Sequence, residues 1–479
     1  MKRFIFLIAL PLLTVSGLKA QNEIDALRYS RLNYSGSARF VSMGGAFGAL
    51  GADFTSLSHN PAGIGLYRSS EIVLTPSISI NNSEAVINGS YRDDSRYNFN
   101  LGNVGIIMNN SLEKKNPQSA WRNIQFGFGL NRMANFNNRV SIDNDNNYSS
   151  YLSSYPGAAN GKHPGDLGAF DTRLAYNTDL LFVTDSATWQ YGVDKPYGGV
   201  NQRKLIDSKG SINEMVFTLG GNYMDRLYLG ATIGIPNIRY SETATYTETA
   251  LAGDTTAFSG MTRTDMLETN GTGVNFKFGL IFRATDWLRL GGAIHTPTFF
   301  SSMADDYTST LRSRFDNGYT ASAKASGYYE YELNTPMRAI ASVGVVIGKS
   351  GIISADYEYV NYAKARLRAP DYDFYDENNA IREIYQAANN FRLGTEWRYG
   401  ALNFRGGYAL SANPYVTGIN SAMPSYSLGL GIRERSFYID LGWVYSEYDD
   451  EYYLYSGIES PARTTISNNT FMLTLGIKY

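Results

Sequence analysis

The side chains best placed to do chemistry are charges that a period-two alternation puts on one face of strand-like segments. Lys277, Arg283, Arg289, Arg338, Arg392, Glu396, Arg398 and Arg405 fall opposite the large apolar residues of their segments. A cation there could pair with a ligand carboxylate through a charge-assisted hydrogen bond. An Arg–Glu network that fills an interior is the plainer use of any one of them. The three histidines, His59, His163 and His295, share no helical or ladder spacing, so a zinc site has no support. Serines are plentiful, but no nucleophile motif accompanies one. No Gly-x-x-x-x-Gly-Lys phosphate loop occurs. The acidic run Asp371, Asp373, Asp376 and Glu377 reads as a hydrated loop before it reads as a calcium site. The expectation is a chain that is no enzyme and carries no cofactor and no metal.

Strands must hold those charges. In the last segment Phe471, Leu473, Leu475, Ile477 and Tyr479 share one face, and Met472, Thr474, Gly476 and Lys478 the other. Val274, Phe276, Phe278, Leu280 and Phe282 alternate in the same way with Asn275, Lys277, Gly279, Ile281 and Arg283. Segments of about ten residues with aromatics outside and Gly, Asn, Arg or Lys inside fit strands that cross a bilayer around a polar lumen. About fourteen can be counted, from 71–81 to 466–479, an even number as a single-chain barrel requires. Tight turns at Met224-Asp225, Ala284-Thr285-Asp286, Gly348-Lys349-Ser350-Gly351, Tyr399-Gly400 and Glu434-Arg435 alternate with longer connections at 241–271, 299–327, 369–388, 413–423 and 448–465. Short periplasmic turns against long extracellular loops give that rhythm. The fold class is therefore all-β, a transmembrane antiparallel barrel of about fourteen strands, in the bacterial outer membrane.

Bulk properties agree. Gly 47, Tyr 37 and Phe 24 are high and cysteine is absent, so the chain is no disulfide scaffold. The formal net charge of −2 gives no broad attraction to nucleic acid. Residues 1–20 have a signal-peptide layout, with Lys2 and Arg3 before an apolar run and cleavage expected before Gln21. The barrel is assigned to 71–479, with a very long extracellular loop at about 136–211. Residues 21–70 lack alternation but carry Leu32, Phe40, Val41, Met43, Phe47, Leu50, Phe54 and Leu57. A plug inside the lumen would bury them.

The run Ser37-Ala38-Arg39-Phe40-Val41-Ser42-Met43-Gly44-Gly45-Ala46-Phe47, followed by Asp53 and by Asn60-Pro61-Ala62-Gly63, resembles the N-terminal hatch of the FadL/TodX family. These are outer-membrane channels for long-chain fatty acids and aromatic hydrocarbons. His295-Thr296-Pro297-Thr298, Thr335-Pro336-Met337-Arg338 and Phe404-Arg405-Gly406-Gly407-Tyr408 add to the resemblance, which covers about 30–479. It implies a fourteen-stranded barrel with a hatch in the lumen, passive uptake of hydrophobic molecules, and sideways release through a gap at a kink in the third strand. Carried onto this chain, the hatch residues are Gly44, Gly45, Asn60, Pro61, Ala62 and Gly63. The gap candidates are Asn131, Met133 and Phe136. Lys277, Arg283, Arg289, Arg338 and Arg405 are the lumen charges that could orient a ligand. Pro61 and the glycines suit a hinge or a rigid turn equally.

Other functions remain open at this point. The long loop could serve a surface receptor or adhesion barrel, haem binding included, and a barrel-embedded hydrolase is a third class. Energised uptake is disfavoured by the small N-terminal segment. The expected partners are a hydrophobic ligand, outer-membrane lipid and the barrel-assembly machinery, which would read the terminal aromatic strand; the expected state is a monomer.

Overall fold

The period-two segments pair into a closed ladder. The computed structural model describes residues 23–479 except Tyr34, Lys115, Asn147 and Glu459; the leader at 1–20 and its cleavage point lie outside the described residues. The spanning strands are β1 (Glu71–Ile87), β2 (Ser90–Ser111), β3 (Trp121–Asn135, then Asn138–Asn146), β4 (Val200–Tyr223), β5 (Leu227–Ala250), β6 (Phe258–Arg283) and β7 (Leu288–His295, then Phe299–Phe315). They continue as β8 (Thr320–Asn334, then Arg338–Ile347), β9 (Gly351–Asn361, then Arg366–Arg368), β10 (Ala387–Tyr399), β11 (Leu402–Ser411), β12 (Met423–Arg433), β13 (Phe437–Tyr452) and β14 (Ala462–Lys478). This is a fourteen-stranded antiparallel barrel. It closes by pairing β1 with β14, from Glu71↔Lys478 to Val86↔Arg463. Tyr479 faces outward at the rim, and its amide donates to the Ser70 carbonyl (3.1 Å).

The outward faces carry the apolar belt. Phe276, Phe278, Leu280 and Phe282 are exposed, while Asn275, Lys277 and Ile281 between them are buried. Facing hydrocarbon, that belt places the barrel in the outer membrane. The turn at Met224-Asp225 has φ of 54° at both residues, the left-handed geometry of a tight hairpin.

Several strands run far past the bilayer. β6 has 26 residues, which at about 3.3 Å per residue is roughly 85 Å, against the 9–11 residues of a single crossing. The connections expected at 241–271 and 299–327 are mostly strand, and so are the ends of the loop expected at 136–211, which narrows to 147–199. Above the membrane both strand faces are polar or packed on loop, so the alternation that flags a strand disappears. The Thr-rich run Ser241 to Ala250 keeps only β propensity as a signal.

Residues 23–70 lie within the barrel. They form α1 (Glu23–Ser30), α2 (Ala38–Ser42), α3 (Ser56–His59) and a 3-10 turn at Pro61–Leu66. Phe40, Met43, Phe47, Leu50, Phe54, Leu57 and Ile64 are all buried. Wall glycines let the segment come this close: a Cβ on Gly105 would meet the Phe54 ring at 2.1 Å. Residues 148–199 fold over the end of the barrel opposite Tyr479 as a cap with α4 (Tyr155–Ala159), α5 (Thr172–Asn177) and a short two-strand ribbon. The last helix, α6 (Tyr375–Ile384), packs with α1 in one apolar layer.

Candidate functional site

The site is built around β3. This strand pairs with β2 from Ser111↔Asn123 up to Asn103↔Asn131, and there the ladder ends. Two local features turn the chain. The β3–β4 register slips between Arg132 and Ala134, and the Asn135 side chain accepts from the Asn137 amide (3.2 Å), a local bond that competes with the ladder. The upper part of β3 then runs inside the barrel. The Asn81 and Ser83 side chains, inward-facing on β1, donate to the carbonyls of Asn137 and Arg139.

Among the described residues, β2 from 90 to 102 keeps β1 as its only partner strand. Its outward aromatics reflect the missing neighbour: Tyr97 and Phe99 are 72% and 75% exposed, against 38% and 39% for Phe126 and Phe128 on β3. The break is filled by the chain's own N-terminal segment. The Asn33 and Ser35 amides donate to the carbonyls of Met133 (2.8 Å) and Arg132 (3.2 Å). On the other side Gly36 abuts Gly102, where a Cβ would sit 2.7 Å from its carbonyl oxygen. Above the break Arg92 pairs with Asp143 (2.8 Å) and Arg139 with Asp94 (3.4 Å).

Directly inside lies a cavity of about 30 Å³. That admits a water molecule or two and is far below the several hundred Å³ of an ordinary ligand pocket. Leu32, Met133, Ile212 and Phe300 make its apolar side; Glu214, Asn275, Lys277, His295 and Arg338 make its polar side. Pro236 and Pro336 line the cavity and Pro297 falls between its lining residues Thr296 and Thr298; each proline lacks a ladder donor and lets its strand bend.

The polar side is already paired. Glu214 accepts from the Lys277 ammonium, from Ser58 Oγ (2.7 Å) and from Asn275 Nδ2 (3.0 Å). Asn131, at the last β2–β3 rung, donates to that same Ser58 Oγ (2.9 Å). Arg338 bonds Glu358 (2.9 Å) and the Ser30 carbonyl at the end of α1. His295 Nε2 donates to the His59 carbonyl (2.8 Å), and His59 Nε2 donates to Asp356 (2.8 Å). The run Asn131–Ser58–Glu214–Lys277 thus joins the third strand, the N-terminal segment and the cavity.

The structure separates the sequence candidates. Lys277, Arg338 and Met133 line the cavity. Asn131 and Phe136 adjoin it, Phe136 turning inward against Tyr29 and Tyr240. Arg405 sits lower, bonded to Glu396 (2.7 Å) and Asp440 (2.7 Å) in a cluster that also holds Arg39 of α2 (2.8 Å to Glu396). Arg283 and Arg289 face each other by the periplasmic turn, where Arg283 pairs with Asp286 (2.8 Å). Gly44 and Gly45, at φ of 62° and 74°, bring the segment onto β10 and β11. The Asn60 side chain bonds Gly48 O (2.5 Å) and Leu280 O (3.2 Å) and caps the turn at Ala62 (3.1 Å), with Pro61 against Gly230 and Gly63 against Ser56. These motif residues seat the segment and do not line the cavity. Glu214 and Asn275 were missed as cavity residues, although inward parity on β4 and β6 marks both.

Fold and site together define an outer-membrane barrel whose lumen is occupied by its own N-terminal segment and whose wall is broken at the third strand. No protein-family model matches the chain, and no curated protein matches it by sequence. Among solved structures it is similar to the P. putida toluene transporter TodX, with a TM-score of 0.56 and 12% identity over 93% of this chain and 99% of that one. It is similar also to a Pseudomonas aeruginosa FadL homologue, with a TM-score of 0.57 and 12% identity over 92% and 98%. The Ralstonia pickettii toluene transporter TbuX gives a TM-score of 0.50 and 14% identity over 93% and 99%. The chain has the FadL/TodX fold.

Proposed function

We propose that this protein is a channel for passive uptake of hydrophobic small molecules, long-chain fatty acids or aromatic hydrocarbons, with residues 23–70 as its hatch. The observation that carries the reading is the broken β2–β3 ladder, filled by Asn33, Ser35 and Gly36 and backed by a cavity lined by both apolar and polar side chains. A ligand with an apolar body fits such a lining once the cavity enlarges. Leaving toward lipid spares it the cost of exposing its surface to water, about 25 cal/mol per Å². Withdrawal of Asn33, Ser35 and Gly36 would open that path, and the shared Ser58–Glu214–Lys277 network couples it to the cavity. The similar fold of the toluene transporter TodX and of a FadL homologue supports this chemistry.

The receptor reading has less behind it. The cap turns Leu152, Leu174 and Leu180 down into the barrel. Haem ligation would have to compete for His59 and His295, each buried and using Nε2 in the interior network.

The test is uptake of radiolabelled fatty acids and small arenes by a strain lacking this protein, with and without complementation. Equal uptake for both ligand classes would end the transport reading. Because the chain has no cysteine, Ser35→Cys with Arg132→Cys can lock the filled break. Uptake should fall on oxidation and return on reduction; unchanged uptake in the fully cross-linked protein would refute lateral release alone.

A further inference from the structure

A row of apolar side chains runs across five neighbouring strands of the lipid-facing wall, and a second row lies beside it on three of them. Cross-strand pairing sets Leu428 beside Trp443, Trp443 beside Phe471, Phe471 beside Ile78, and Ile78 beside Phe99. The second row, two residues nearer the periplasm, contains Leu430, Leu441 and Leu473. Between the rows side chains point inward, so the floor is backbone, that of Gly429 and Gly442 included. The result is a slot of about 540 Å³.

The register gives its dimensions. Rows two residues apart are separated by about 6.6 Å along the strands, and five strands at about 4.8 Å spacing span roughly 19 Å. Measured between row centres, that spacing lets a hydrocarbon chain lie along the furrow between the rows, and the upper row is about as long as an extended acyl chain. The floor is thin for a reason found on its inner side. A Cβ on Gly429 would lie 2.1 Å from Ser42 Oγ, and one on Gly442 3.0 Å from the Ala38 carbonyl, both in α2. Glycine lets α2 seat there, and only backbone separates it from the slot.

We infer that this slot binds one acyl chain of a membrane lipid. Its lining belongs to the belt that already faces hydrocarbon, so lipid chains are the molecules that surround it. An unfilled slot would leave its walls without dispersion partners. The convex wall of a second barrel could not enter a furrow between rows only about 6.6 Å apart. Trp443 is held in place by its Nε1 donating to Asn469 (3.1 Å) and presents its ring to the occupant. The upper row ends on Phe99, at the edge of the broken wall, so the bound chain lies beside that break. The inference stands whether or not the channel reading does.

Trp443 supplies the assay. In a protein with Trp121, Trp189, Trp287 and Trp397 changed to Phe, fluorescence is followed in detergent while phosphatidylethanolamine with brominated chains is added. Quenching should break at about one lipid per barrel, and Leu441→Phe with Leu473→Phe, which narrows the slot, should abolish the break. Quenching that rises in simple proportion to added lipid, or an identical curve for the narrowed protein, would overturn the site. Saturation by free brominated fatty acid where the lipid gives none would overturn the choice of a membrane lipid. If the single-tryptophan protein does not fold, native mass spectrometry of the parent should count one more retained lipid than the narrowed variant; equal counts would refute the site.

Discussion

Phe136, at the break in β3, packs edge-on against Tyr29 of α1, with ring centroids 6.0 Å apart and planes at 76°. Tyr240 on β5 completes the triangle, 5.5 Å from Phe136 and 6.2 Å from Tyr29. The inward turn of the third strand and the position of the first helix are thereby one packing decision. Phe136→Ala should cost roughly 2 kcal/mol, less than the ~3–5 of a fully buried Phe, because the ring is half-buried. It should also quicken tryptic cleavage at Arg28 and Arg31. Unchanged cleavage would show that α1 is held without the aromatic contact.

Lys277 and Glu214 are a buried pair, each at most 2% exposed. Glu214→Ala leaves an ammonium unpaired in the interior and should cost about 3–5 kcal/mol. Glu214→Leu combined with Lys277→Met removes both charges and should recover most of that loss. Urea unfolding followed by heat-dependent gel mobility measures both; a double variant as weak as the single one would mean that packing, not charge, decides.

Gly44 tests two costs separately. Its φ is 62°, and a Cβ there would sit 2.7 Å from the Tyr408 carbonyl oxygen. Gly418 shares the left-handed backbone (φ 86°) but has nothing within 4 Å. Gly418→Ala should lose only the conformational term, about 1–2 kcal/mol, whereas Gly44→Ala should lose clearly more. Equal losses would show that the segment shifts to relieve the contact.

The cap is anchored on Glu248, which is fully buried and accepts from Ser150 Oγ (2.7 Å), the Tyr151 amide (2.8 Å), Gln202 Nε2 (2.9 Å) and Tyr246 OH (2.7 Å). Glu248→Ala strands four donors, each worth about 1–3 kcal/mol when left unsatisfied. Limited proteolysis within 148–199 should become several-fold faster while the barrel core stays resistant. A cap no more sensitive than the parent's would place its anchor elsewhere.

On the channel reading, a ligand entering from outside meets that cap. Ser313 Oγ on β7 donates to the Thr178 carbonyl (2.7 Å), joining cap to rim. Ser313→Cys with Thr178→Cys, bridged by a short bis-maleimide, should abolish uptake if the cap opens as a lid. Full uptake through a completely bridged protein would mean that the ligand passes around it.

The sequence by itself determined the barrel: its strand number, its lipid face, its short turns and its closing strand. Each follows from a period-two pattern that hydrocarbon enforces locally, since every outward residue between the interfaces must be apolar. Phe471, Leu473 and Leu475 announce their face without reference to any other strand. Beyond the bilayer that constraint lapses, and the extensions of β5, β6 and β7 read as loops. Inward charge was legible by parity, but its use was not. Lys277 and Arg405 have the same parity and residue class, yet one lines the cavity beside Glu214 and the other clamps Glu396 and Asp440. Which acid each cation meets depends on register between strands dozens of residues apart and on where the N-terminal segment threads between them. Only the tertiary structure sets those distances, and so only it brings Asn131, Ser58, Glu214 and Lys277 together beside the broken wall.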